Sequence, residues 1–255
     1  MYIHIVTVGT SIARNLSMKE DLEESIRSKL REWVFSRPGS KADIEAGERG
    51  VPGAPEFRVA LEQTVLNPRR ISAELNAMWQ YLENRRVDKV YLLTTDSGVS
   101  YFCARVLSEY LSREWGVESE IYRVEKLGLD FEEGILNLVS ILIKYVKKHR
   151  SRGDRVHLNA TGGFKPETAI MYLIASLIGV DRVYYIHESM RRNVDLPTIP
   201  IKIDKSYFKF LPYLEKLEVE RVPTNVLDEL KRRGVIEIVG GKVRMKEWIR
   251  LLLRS

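Results

Sequence analysis

Runs of apolar, β-branched residues alternate along the chain with segments whose apolar positions recur at helical spacing. The first run, YIHIVTV at 2–8, is nearly continuous, as expected of a parallel strand covered on both faces. It enters a turn at Gly9-Thr10-Ser11. Ser17 followed by Glu20 predicts a capping-box start for a helix reaching Trp33, with Leu22, Ile26, Leu30 and Val34 on its apolar side. The stretch 36–55, rich in Gly, Pro and charge, predicts a long surface loop. A helix beginning near Pro68 presents Ile71, Leu75, Met78 and Leu82, and a strand is expected at 89–95. Three further pairs follow: helix 100–115 with strand 117–124, helix 131–149 with strand 155–160, and helix 165–178 with strand 182–187.

Strands alternating with helices imply right-handed crossovers, hence an α/β fold with a Rossmann-like parallel sheet sandwiched by helices. Ligands of such sheets bind at the carboxyl ends of the strands. After a strand-like run at 198–203 the grammar changes. Helices are expected at 207–217 and 225–233, then two strands, 235–239 and 242–245, around Gly240-Gly241, and a closing helix at 248–253. The expected boundary lies near Asp204, giving a Rossmann-like domain at 1–203 and a small winged-helix-like α+β module at 204–255.

A chain of 255 residues with 44% apolar and 30% charged positions can bury one full α/β core and carry a small appendage. It has no apolar stretch long enough for a membrane span. The start MYIHIVTVGTS reads as a first strand and not a signal peptide, so a cytoplasmic protein is expected. Cys103 alone excludes an intrachain disulfide framework and a cysteine-cluster metal site. The net charge of +6 favours an anionic ligand without naming one. High charge of both signs, with Gln63 and Gln80 the only glutamines, resembles thermophile usage.

Two strand ends carry unusual residues. After the first strand come Gly9, Thr10, Ser11, Ile12, Ala13, Arg14 and Asn15; after the strand at 155–160 come Thr161, Gly162, Gly163, Phe164, Lys165, Pro166 and Glu167, with Asn159 just before. Small residues let backbone N–H groups approach a ligand, and Lys165 at a helix N-terminus favours a phosphate through both dipole and side chain. Together they describe an anion pocket on one rim of the sheet; either motif alone is equally a tight connection. Neither fits the G-x-x-x-x-G-K-[ST] nor the G-x-G-x-x-G pattern, which disfavours ATP and NAD. Thr95, Asp96 and Ser97 at a third strand end offer hydroxyls to the same rim, or cap the following helix.

An N-terminal strand ending in V-G-T-S, a late strand leading to N-A-T-G-G-F-K-P-E, and a basic, cysteine-poor α/β chain with a small C-terminal module resemble the CRISPR-associated Rossmann-fold (CARF) proteins. The resemblance covers about residues 1–203, and Asn159–Glu167 is its most specific part. It implies a homodimer that binds cyclic oligoadenylate, most often cyclic tetra-adenylate, across the dimer axis, where each half of the ring meets the same residues. The pattern is most similar to the stand-alone ring nucleases that cut this messenger and switch off type III CRISPR signalling. That similarity implies Ser11 and Lys165 as the functional pair, no cofactor, and no metal. A ribose 2′-OH would attack the adjacent phosphorus and expel the 5′-oxygen, leaving a 2′,3′-cyclic phosphate, with Ser11 positioning the 2′-OH and Lys165 stabilising the transition-state charge. The sequence has no H-E-x-x-H and no clustered-carboxylate motif.

Two other patterns compete. Arg152 and His157 match the spacing of a HEPN ribonuclease pair, but they straddle a loop and a strand of the Rossmann-like domain, so the match reads as accidental. His149 and His157 read as a helix end and a strand face. The helix at 225–233 and its glycine-tipped hairpin resemble a winged helix-turn-helix, in which Lys231, Arg232, Arg233, Lys242 and Arg244 would meet DNA phosphates. The alternative function is therefore a non-catalytic CARF sensor that regulates transcription through the C-terminal module; an ordinary small-molecule enzyme is the third class.

Overall fold

The computed structural model describes residues 1–163, 165–187, 192–202, 211–215 and 218–253. By its contacts the chain divides into two compact units, Met1–Pro200 and Ile201–Ser255.

The first unit is built on a six-stranded sheet: β1 (Tyr2–Val8), β2 (Lys89–Thr94), β3 (Glu118–Arg123), β4 (Arg155–Asn159), β5 (Arg182–His187) and β6 (Arg192–Leu196). Their spatial order is β3-β2-β1-β4-β5-β6. The first five strands are parallel, and β6 returns antiparallel along β5, with His187 opposite Arg192. The chain fills one half of the sheet outward from β1 and then the other half outward from β4, so the order reverses between these two neighbours. A crevice forms at such a reversal because the connections leave in opposite directions.

Six of the seven β1 residues are buried, as a strand covered on both faces requires. On one face Val6, Val8, Val90 and Leu92 join a core with α1 (Ser11–Ser17), α2 (Glu24–Phe35), α4 (Pro55–Leu66), α6 (Ala73–Glu83) and α7 (Gly98–Trp115). Trp33 and Phe57 meet Phe102 edge-on there, at 5.3 and 6.3 Å between ring centroids. On the opposite face Tyr91 stacks at 4.2 Å on Tyr145 of α8 (Phe131–Arg150), which packs beside α9 (Lys165–Ile178). The α/β sandwich and its crossovers agree with the hydrophobic pattern.

Local differences have identifiable causes. No helix starts at Ser17: α1 begins directly at Ser11, because Ile12, Ala13 and Leu16 give it a buried face, and Ser17 ends it with its hydroxyl donating to the Arg14 carbonyl. The next helix, α2, starts at Glu24. The expected loop at 36–55 contains α3 (Lys41–Glu48), capped by Ser40, whose side chain accepts from the Asp43 N–H. The helix expected near Pro68 is two, α5 (Pro68–Ile71) and α6, broken at Ser72, which caps α6 through Leu75 N–H. The run at 198–203 forms no strand in its described part; the sixth strand lies earlier, at Arg192–Leu196.

In the second unit α10 (Leu211–Leu214), α11 (Thr224–Arg232), β7 (Ile236–Val239), β8 (Lys242–Met245) and α12 (Glu247–Leu253) enclose a small core of Leu227, Leu230, Val235, Ile236, Val243, Met245 and Ile249. The β7–β8 hairpin turns at Gly240 and Gly241, with φ of +59° and +74°. The expected boundary at Asp204 and most of the helix expected at 207–217 lie outside the described residues.

Candidate functional site

The carboxyl ends of β1 and β4 bring the two glycine-containing motifs into contact. Thr7, next to last in β1, donates its hydroxyl to the Gly162 carbonyl at 2.6 Å and to the Asn159 carbonyl at 3.3 Å. Gly162 lies so close to β1 that a Cβ there would sit 2.5 Å from the Thr7 carbonyl oxygen and 2.6 Å from Gly9 N. Only glycine fits. Gly163 follows at φ +108°, outside the range of ordinary side-chain-bearing residues, and turns the chain into α9.

A carboxylate on α6 organises the β1 side of this junction. Glu74 is 2% exposed and accepts three hydrogen bonds: Gly9 N–H to Oε1 at 2.9 Å, and the Ser11 and Ser72 hydroxyls to Oε2 at 2.6 and 2.9 Å. Ser11 Oγ also accepts from Ala73 N–H at 3.2 Å. From the β4 side, Asn159 Nδ2 donates to the Glu74 backbone carbonyl at 3.1 Å. One acidic side chain and its own backbone therefore join both motifs.

The residues singled out from sequence divide into a surface set and a supporting set. Thr10, Ser11, Asn15 and Thr161 are partly exposed, and Arg14 and Gly163 are exposed, all on the rim where β1 and β4 end. Lys165 is the first residue of the fourteen-residue α9, at its positive end; Phe164 lies outside the described residues.

The Gly9 N–H donates to Glu74 Oε1. Asn159 is fully buried, with Oδ1 accepting from Thr161 N and Oγ1 at 3.2 and 2.5 Å, so it shapes the loop. Asn15 donates to the Arg70 and Ile71 carbonyls, closing α5.

The third strand end supports its surroundings. Ser97 is buried and caps α7 through Ser100 N–H at 3.1 Å. Asp96 pairs with Arg123 at 2.9 Å and accepts from Lys126 N–H. Thr95 remains partly exposed beside Gly128. The start of α7 is also occupied from outside: the buried Asp43 of α3 accepts from Val99 N–H at 3.2 Å, and a Cβ at Gly98 would overlap the Asp43 carbonyl.

Cys103, on α7, is buried beside this network; burial, with the Glu74 charge adding to it, pushes its thiol up to about 12. The histidines lie elsewhere. His157 is 4% exposed in β4, packed edge-on against His4, Tyr2 and Tyr81, while Arg152 lies in the turn after α8. His149 is held between Tyr91 Oη and Asp154 at 2.8 Å each. A cleft of about 530 Å³ lined by Trp79, Tyr110, Glu114 and Trp115 at the C-terminal end of α7 extends to Pro68, Arg69 and Arg70 of α5. Among the described residues no group of three or more His, Cys, Asp or Glu is arranged to hold a metal ion, and no helix is long and apolar enough to cross a membrane.

Sequence reasoning missed Glu74, Ser72 and Thr7. Glu74 had a visible signal: it falls three residues after Ile71 and four before Met78, on the apolar side of its helix, where a carboxylate must be hydrogen-bonded. The family model described as CRISPR-associated protein (Cas_APE2256) matches residues 69–199. That is just over half the chain, from α5 through β6. It includes Glu74 and the Asn159–Lys165 motif, and it stops short of Gly9–Ser11.

Proposed function

Because the chain belongs to the CRISPR-associated Cas_APE2256 family, the family of CARF-domain, ring-nuclease-like proteins, we propose that it is a ring nuclease. On this proposal it acts in the cytoplasm as a homodimer, with residues 1–203 as the CARF domain and 204–255 as the winged-helix-like module. It binds cyclic tetra-adenylate across the two-fold axis and cleaves it without metal, switching off type III CRISPR signalling.

The observation that carries the proposal is the junction at the sheet's reversal. There the Ser11 hydroxyl, held by Glu74 at 2.6 Å, shares a rim with the N-terminal end of α9, where Lys165 stands. A helix N-terminus and a lysine attract phosphate, and the net charge of +6 favours approach of an anion.

In the reaction the ribose 2′-oxygen attacks the adjacent phosphorus in line, and the 5′-oxygen leaves. No atom is added, so the protein's tasks are alignment and charge stabilisation. Ser11 aligns the 2′-OH, Lys165 meets the charge that develops on the phosphoryl oxygens, and Thr10, Arg14, Thr161 and Gly163 line the ligand's path.

The regulator alternative is less well supported. Lys242 pairs with Glu218, Arg233 pairs with Glu229 at 2.8 Å, and Glu237 stands opposite Arg244 in the hairpin. Basic side chains so interleaved with carboxylates make a poor phosphate surface.

The test is incubation of the purified protein with cyclic tetra-adenylate in excess EDTA, with products separated by chromatography. Conversion to linear fragments, reduced about 100-fold or more in Lys165→Ala, supports the proposal. A ring that binds but stays intact moves the protein to the regulator class, and a ring that does not bind overturns both.

A further inference from the structure

We propose that Glu74 is the positioning residue of this reaction: it fixes the Ser11 hydroxyl as a hydrogen-bond acceptor for the attacking 2′-OH and receives the proton that Ser11 hands on. This rests on the ring-nuclease proposal and deepens it.

A hydroxyl has one proton to donate and two lone pairs. The Ser11 proton points to Glu74 Oε2 at 2.6 Å, and one lone pair receives Ala73 N–H at 3.2 Å. A single lone pair remains, on an atom whose residue is partly exposed at the rim. In this arrangement Ser11 has nothing to donate to a phosphate oxygen; it accepts. A 2′-hydroxyl is the one group on the reacting ribose-phosphate that must lose a proton, so it is the natural donor to that lone pair.

Glu74 is built to hold this state. Its Oε1 is anchored by Gly9 N–H and its Oε2 is shared with the Ser72 hydroxyl. Its backbone carbonyl is tied to the β4 motif through Asn159. It sits 2% exposed, and its carboxylate accepts from the neutral Gly9, Ser11 and Ser72 groups.

The 2′-OH proton passes to Ser11 Oγ while the Ser11 proton passes to Glu74 Oε2. The 2′-oxygen pair forms the bond to phosphorus. The P–O5′ bond breaks with its electron pair on O5′, which takes a proton from water. Glu74 returns its proton to water, and the net change is an isomerisation of the ring.

The experiment measures kcat and KM for cyclic tetra-adenylate with the wild type, Glu74→Gln, Ser11→Ala and the double variant, with thermal denaturation of each. The glutamine keeps the size of Glu74 but presents a weak acceptor. Expected are a fall in kcat of about 100-fold or more, a KM within a few-fold of wild type, and a double variant no slower than Ser11→Ala, because the two residues act as one unit. Losses that multiply in the double variant, a change confined to KM, or a Glu74→Gln variant with wild-type kcat would overturn the role and leave the ring-nuclease proposal standing. Should Glu74→Gln fail to fold, Ser72→Ala removes the second hydroxyl on Oε2 together with the α6 cap, so its thermal denaturation is read beside its kinetics; a fall in kcat at constant KM that vanishes in the Ser11→Ala background supports the role, and wild-type kcat overturns it. A wild type that does not cut the ring overturns both proposals at once.

Discussion

The Thr7 hydroxyl donates to the Gly162 carbonyl across 2.6 Å, fastening the end of β1 to the loop that leads into α9. This bond sits at the one place where neighbouring strands send their connections in opposite directions, and it holds together two motifs separated by about 150 residues. The rim on which Ser11 and Lys165 stand therefore depends on a backbone contact as well as on side chains.

Gly162→Ala tests that contact. Its Cβ would fall 2.5 Å from one backbone atom and 2.6 Å from another, neither able to rotate away, so the two loops must part. Expected are a loss of about 1–3 kcal/mol in urea denaturation and loss of cyclic tetra-adenylate binding by calorimetry. Wild-type stability and affinity would show that the close approach is dispensable.

Acid should destabilise the first unit through two buried histidines. His4 donates Nε2–H to the Arg86 carbonyl and accepts from Tyr184 Oη at Nδ1, which fixes it neutral, and burial lowers it from 6.5 to about 3. Burial likewise lowers His157 from 6.5 to about 4. Both are depressed in the folded state, so above pH 6.5 they have no effect on stability. As pH falls from 6.5 toward about 4 and then 3, the unfolded chain takes up protons that the folded chain refuses. Stability should fall by up to about 1.4 kcal/mol per pH unit for each histidine. Urea denaturation between pH 7 and 4 should show a slope that His157→Asn reduces by about one proton; an unchanged slope would contradict this.

Cys103 should be silent in the native state. It is 1% exposed, and its thiol is pushed up to about 12, so little thiolate exists at neutral pH. A chromogenic disulfide reagent should react only after denaturant is added. Rapid reaction of native protein would mean that α7 opens beside the Ser11–Glu74 network.

Lys242→Glu with Arg244→Glu, on the exposed side of the C-terminal hairpin, should leave turnover of cyclic tetra-adenylate unchanged. The parent protein should show no salt-dependent affinity for duplex DNA in fluorescence anisotropy. Binding that weakens with salt and is lost in the double variant would favour the regulator.

Strands β1, β2 and β4 were legible because nearly all their residues are buried and so read as continuous apolar runs, Tyr2–Val8 above all, whereas β6, with no buried residue, was missed. Two helices were harder. In α3 only Asp43 and Ala46 are buried, so no long apolar stripe marks it, and Ser40 with Asp43 was its only cap signal. The same pattern at Ser17 and Glu20 misled, because Ser17 was already the end of α1. At the site, the two loops were visible through their small residues, yet their mutual contact depends on the strand order, which no local pattern carries. Glu74 was marked by its place on the apolar side of its helix, but its partners were not, because Gly9 and Ser11 lie more than sixty residues away in the chain. Family membership now covers α5 to β6, which includes Glu74 and leaves Ser11 to the geometry.

The most direct measurement compares cyclic tetra-adenylate with its 2′-O-methylated counterpart, each incubated with the full chain in excess EDTA and followed by mass spectrometry. Attack by the 2′-oxygen predicts that the unmodified ring opens to linear products that have gained no water, while the methylated ring binds and stays closed. Cleavage of the methylated ring, or products that carry an added water from the outset, would contradict in-line attack by the 2′-OH.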